Sequence, residues 1–113
     1  MFGVLIASAW SADNPESLRE YAMFVASKEQ VPVSTILKIG ECESSFNPKA
    51  HNTSDPNGGS RGVFQFQERT FYDYAKKYNI DNPDIWNPFQ QINLAIYMIR
   101  DGKIGLWSCS KMI

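Results

Sequence analysis

Residues 41–48 read Glu-Cys-Glu-Ser-Ser-Phe-Asn-Pro. Two carboxylic acids flank a thiol just before a proline breaks the chain. A carboxylic acid that donates a proton near neutral pH must have its pKa lifted from about 4.3 toward 6. Burial among apolar groups does this, and so does the negative end of a helix dipole. A glutamate in the last turn of a helix is unfavourable on dipole grounds, where a cation is preferred. Glu41 and Glu43 are therefore either solvated surface residues or acids tuned for chemistry.

The elements that would position them follow from the apolar pattern. Asp13-Asn14-Pro15-Glu16 is a helix start, and Leu18, Tyr21, Ala22, Val25 and Ala26 give a helical stripe up to about Lys28. Pro32 opens a second helix with Ile36, Leu37, Ile39 and Gly40 on its inner face. Pro48 disfavours helical geometry at Asn47, so this helix ends near Ser44 and holds both glutamates in its last turn. Residues two apart on a helix point roughly 200° apart. With Ile36 and Ile39 inward, Glu43 shares their side, at +7 and +4, and Glu41 falls away from it. Periodicity thus favours Glu43 as the buried acid.

Residues 47–61 are almost free of apolar side chains and contain two prolines and Gly58-Gly59, which predicts a loop. Val63, Phe64 and Phe66 form a short apolar run, read as one or two short strands. A third helix is expected over Glu68–Tyr78 from Phe71, Tyr74, Ala75 and Tyr78. A turn follows at 79–84. Asn87-Pro88 starts a fourth helix with Ile92, Ala95, Ile96 and Ile99 inward, ending near Asp101 with Gly102 as its stop. The expected architecture is mainly α, a small helical domain with a long polar loop in its middle.

The chain's 113 residues suit one domain, taken here as 13–113. Residues 1–12 differ in kind: Phe2–Ala7 is apolar and Ala7-Ser8-Ala9 resembles a cleavage site, so they read as a leader remnant or a disordered tail. Net charge is −1, from 11 basic and 12 acidic residues, with no Lys/Arg run. Nucleic-acid binding therefore has no electrostatic support. No apolar run reaches the roughly 18 residues that span a bilayer. Cys42 and Cys109 are the two cysteines. In an exported protein they could form one disulfide that ties the glutamate segment to residue 109; the other reading is two buried thiols. A calcium loop at Thr53–Gly58 fails because its twelfth position is Phe64. His51 is the single histidine, too few for a zinc site, and no metal or other cofactor is expected. A Cys42–His51 thiol pair is set aside because Cys42 points away from the Glu43 face.

Glu43-Ser44-Ser45-Phe46-Asn47-Pro48-Lys49-Ala50 resembles the Glu-Ser-x-Phe-Asn-Pro-x-Ala segment of the lysozyme-like lytic transglycosylases, the soluble lytic transglycosylase or goose-type lysozyme-like group. Ser60-Arg61-Gly62-Val63-Phe64-Gln65 is similar to that group's second motif, Ser-x-Gly-Leu-Met/Phe-Gln. Asn87-Pro88, Gln91-Ile92 and Ala95-Ile96-Tyr97 resemble its third segment. The match covers about residues 15–100, with two motifs in order and at the right distance.

The resemblance implies an α+β lysozyme-like fold with a short β-hairpin or strand region beside the cleft. It implies Glu43 as the catalytic acid, cleaving the bond between N-acetylmuramic acid and N-acetylglucosamine in peptidoglycan and closing a 1,6-anhydro ring. Ser60 and Gln65 would bond sugar or acetamido groups, Gly62 would let backbone approach the substrate, and Tyr97 would line the cleft near Glu43. This route works with one carboxylate. Asp55 is the nearest second acid, and before Pro56 it reads as a turn residue. The group's Ala-Tyr-Asn-x-Gly ending is replaced here by Gly105-Leu106-Trp107-Ser108-Cys109-Ser110. That ending is similar to a small branch whose terminal cysteine pairs with the one beside the glutamate. The expected protein is an exported, monomeric wall-acting enzyme. A hydrolysing lysozyme and a non-catalytic glycan-binding module are the alternatives.

Overall fold

The computed structural model describes residues 10–112. Four α-helices, a three-stranded sheet and two short 3-10 helices make up the described chain. Helix α1 spans Pro15–Lys28. The side chain of Asn14 caps it, accepting from the backbone N–H of Glu16 at 2.9 Å and of Ser17 at 3.3 Å. Its inner stripe is Leu18, Ala22, Val25 and Ala26, all buried. The reading of residues 1–12 falls largely outside the described residues. Trp10, which is described, packs edge-on against Tyr21 at 5.5 Å.

Helix α2 spans Val33–Ser44 and buries Ile36, Ile39 and Gly40. Proline is not what stops it. Ser45 and Phe46 both adopt left-handed backbone, at φ 55° and 57°, and their N–H groups close onto the carbonyls of Glu41 and Gly40. This reversal drives the Phe46 ring back onto the helix. The ring lies where a Cβ at Gly40 would be, so residue 40 has to be glycine. Phe46 is fully buried, edge-on to Phe64 at 6.0 Å.

Only one of the three strands touches the apolar run, at Phe66. The strands are β1 (His51–Asn52), β2 (Ser60–Arg61) and β3 (Phe66–Gln67), antiparallel in the order β1-β2-β3. Two of them lie in the stretch read as a polar loop. Val63 and Phe64 occupy a turn between β2 and β3 and are fully buried. Their apolarity reflects burial beneath the sheet, not strand pairing. In register, Asn52, Ser60 and Gln67 form one cross-strand row, and His51, Arg61 and Phe66 form the other.

Helix α3 spans Glu68–Lys77, with an acid in its first turn and Lys76 and Lys77 in its last, as the dipole favours. Helix α4 spans Pro88–Arg100, capped by Asn87, and runs through the core with Ile92, Leu94, Ala95, Ile96 and Met98 fully buried. It packs against α1 and α3. Gln91 on the same helix is also fully buried, and every arm of its amide is used. Its oxygen accepts from Phe64 N–H at 3.0 Å, and its nitrogen donates to the carbonyls of Arg61 at 2.8 Å and Ile85 at 2.7 Å. One side chain thus fastens the sheet to the helical core. The 3-10 helices Ile104–Leu106 and Ser108–Met112 then return the chain to α2.

Candidate active site

The last turn of α2 separates the two glutamates as the helical period requires. Glu41 points outward and forms an exposed ion pair with Arg19 at 2.9 Å. Arg19 also donates to the Ser45 carbonyl at 3.3 Å and lies 5.4 Å over the Phe46 ring, so this pair clamps the helix stop. Glu43 points the other way, half-buried, into a cleft of about 440 Å³.

Four segments wall that cleft. The sheet contributes the row Asn52, Ser60 and Gln67, with Gln65 and Phe66 beside it. Thr70 of α3 and Met98 of α4 line it further in. Leu106, Trp107 and Ser108 close the remaining side. Trp107 is fixed there by its indole N–H, which donates to the Phe64 carbonyl at 2.9 Å, and by edge contacts with Phe64 and Phe66. Ser44, next to Glu43, donates its hydroxyl to the Val63 carbonyl at 2.7 Å and so couples the helix end to the β2–β3 turn.

Burial pushes the Glu43 carboxyl up from its ordinary value; the nearby Asp55 charge adds to the rise, and a hydrogen bond from the Cys109 N–H opposes it. Asp55 lines the same cleft. Read from sequence it is a turn residue before Pro56, and the missing information was three-dimensional. The β1–β2 hairpin folds the loop over so that Asp55 shares the cleft with Glu43. Ser60 donates its hydroxyl to Asp55 Oδ2.

Of the residues expected at the site, Glu43, Ser60 and Gln65 come together in this cleft. Gln65 sits at φ 52°, and its amide nitrogen donates to the carbonyls of Gly62 at 2.9 Å and Ala50 at 3.3 Å. Gly62 is required by the packing of the protein's own core. At φ +81° its missing Cβ makes room for the Gln91 amide, so the close approach is made by the protein's own core. Tyr97 does not line this cleft. It belongs to a second, shallower depression with Glu29, Tyr78 and Arg100, its ring 5.7 Å from Tyr78 and under the Arg100 guanidinium. Successive helical residues are about 100° apart. Met98 takes the cleft position, and Tyr97 turns away from it.

Cys42 and Cys109 form a disulfide, with Cα atoms 6.0 Å apart and a sequence separation of 67. It joins the residue before Glu43 to the residue whose backbone opposes the rise of the Glu43 carboxyl.

A scan against family models matches the transglycosylase SLT domain over residues 20–105. The chain belongs to this family. No curated protein and no solved structure matches it. Membership in the SLT family supports a transglycosylase-type activity on peptidoglycan in general terms. The matched span contains Glu43, Asp55, Ser60 and Gln65, together with most of the cleft wall. A wall-directed domain carrying a disulfide points to an exported protein, since such bonds persist in oxidising compartments. Among the described residues no helix is long and apolar enough to cross a membrane.

Proposed function

We propose that the protein is a lytic transglycosylase that cleaves the β-1,4 bond between N-acetylmuramic acid and N-acetylglucosamine, with Glu43 as both acid and base. The observation that carries this reading is a half-buried carboxyl aimed into a polar cleft with its pKa raised by desolvation. A raised pKa leaves more of the acid protonated near neutral pH, ready to give its proton to the glycosidic oxygen. The C1–O4 bond breaks and the N-acetylglucosamine side leaves as an alcohol. Glu43, now a carboxylate, takes the proton of the muramic C6 hydroxyl as that oxygen bonds C1. The 1,6-anhydro ring closes, no water is consumed, and Glu43 is again protonated.

Ser60 and Gln65 are proposed to bind the glycan strand. The Gln65 amide nitrogen is committed to two backbone carbonyls, which leaves its oxygen for an acetamido N–H or a sugar hydroxyl. The partner is the peptidoglycan strand, and the enzyme works outside the cytoplasm as a monomer.

Mass spectrometry of digested peptidoglycan tests this. Wild-type protein is expected to release muropeptides lighter by one water than hydrolytic products. Glu43→Gln is expected to abolish release and Glu41→Gln to retain it. Hydrated reducing ends would make the enzyme a hydrolase instead. Binding without release would make it a glycan-binding module. A dead Glu41→Gln beside an active Glu43→Gln would refute the assignment of the acid.

A further inference from the structure

The cleft holds a second acid that the one-carboxylate route leaves without a task. We propose that Asp55 is a charge-stabilising residue of this site: its carboxylate faces the sugar ring and stabilises the positive charge that develops at the anomeric carbon as Glu43 protonates the departing oxygen. This rests on the reading of Glu43 as the acid.

Three observations support it. Glu43 and Asp55 reach the same cleft from different elements, one from the end of α2 and the other from the β1–β2 hairpin. Second, Asp55 is held in place. Ser60, whose hydroxyl donates to it, is only 3% exposed and belongs to the central strand, paired on both sides. The hairpin is tied down further along, where Arg61 donates to the Gly58 carbonyl at 3.1 Å and the Asn57 amide reaches Gln67 at 3.4 Å. A fixed charge stabilises a transition state without reorganising when the reaction occurs.

Third, nothing in the cleft neutralises the two acids. Among the described lining residues the ionisable groups are Glu43 and Asp55 alone. The nearest basic groups are engaged elsewhere. Arg61 pairs with Glu68 at 3.5 Å, and the His51 ring meets the Gly58 carbonyl at 3.2 Å and the edge of Trp86. A glycan strand is uncharged along its sugar rings, so a purely negative cleft gains little from the bound ground state. It gains when the ring becomes oxocarbenium-like, which is the differential binding that lowers a barrier. The Asp55 charge also acts on Glu43 in the useful direction, since a neighbouring anion disfavours loss of its proton.

The test compares Asp55→Asn with wild type in muropeptide release across pH, with Glu43→Gln and Asp55→Glu alongside. Asparagine is nearly isosteric and still accepts from Ser60, and thermal melting checks that the fold is kept. The expected result is a kcat lower by about tenfold or more with KM little changed. The alkaline limb of the pH–rate profile should also move to lower pH, because Glu43 loses its anionic neighbour. Asp55→Glu restores the charge and should bring that limb back. A wild-type kcat in Asp55→Asn, or an alkaline limb that stays in place, overturns the role of Asp55. An active Glu43→Gln overturns instead the reading on which it rests.

Discussion

Cys109 is covalently bonded to Cys42, the residue directly before Glu43, and its backbone opposes the rise that burial causes in the Glu43 carboxyl. The disulfide and the acid therefore form one unit. The crosslink supports the fold and also holds the Cys109 backbone beside the candidate acid.

Reducing the disulfide is expected to affect stability and activity together. The closed loop predicts a loss of about 4 kcal/mol of folding free energy, mainly by freeing the unfolded chain. Cys42→Ser/Cys109→Ser should melt lower. Muropeptide release should fall even at temperatures where the variant remains folded, because residues 106–109 are no longer held against the cleft. Full activity in a folded, reduced protein would separate the crosslink from the site.

Glu43 should cost the fold stability as pH rises. Its folded-state carboxyl titrates above the ordinary value of 4.5, so the folded protein binds that proton more tightly than the unfolded chain. The resulting stabilisation is complete below the ordinary value and disappears as pH rises through the raised one. Glu43→Gln cannot ionise and escapes this loss. It should therefore gain in melting temperature relative to wild type between about pH 4 and pH 8. An offset between the two proteins that is independent of pH would show that Glu43 titrates normally.

Gly40→Ala should damage the helix stop. The added methyl meets the Phe46 ring, which is enclosed by Phe64 and Arg19 and has little room to move. Overpacking of this kind costs about 1–3 kcal/mol. Denaturant melts give the cost directly. Activity at low temperature should drop more than stability alone explains, since the same stop orients Glu43.

Gln91→Leu preserves volume but strands Phe64 N–H and the carbonyls of Arg61 and Ile85 in the core. Leaving such buried groups unpaired predicts a loss of about 3 kcal/mol or more in chemical denaturation. A near-neutral result would mean that water replaces the amide.

The helices were legible because each carries its own punctuation. Asn14-Pro15 and Asn87-Pro88 cap as read, and helical phase alone turned Glu43 inward and Glu41 outward. Other features were not legible. Two-residue strands have no period to detect, so β1 and β2 passed for loop. With the hairpin unseen, Asp55 looked like a turn residue, although the hairpin is what brings it to Glu43. The Gln91 amide and Gly62 likewise acquire their meaning from each other across 29 residues, and neither alone signals the contact. Tyr97 failed by a single helical step, which a motif match does not resolve.

The wall formed by Leu106, Trp107 and Ser108, together with the Cys109 N–H, also fixes an order of events in time. Glu43 is translated more than sixty residues before the groups that bury it, an interval of several seconds at about 5–20 residues per second. During that interval α2 carries a solvated, ordinary glutamate. Its burial is complete only when the last turns dock beside it. Any activity that rests on Glu43 would follow the docking of these C-terminal turns and not precede it.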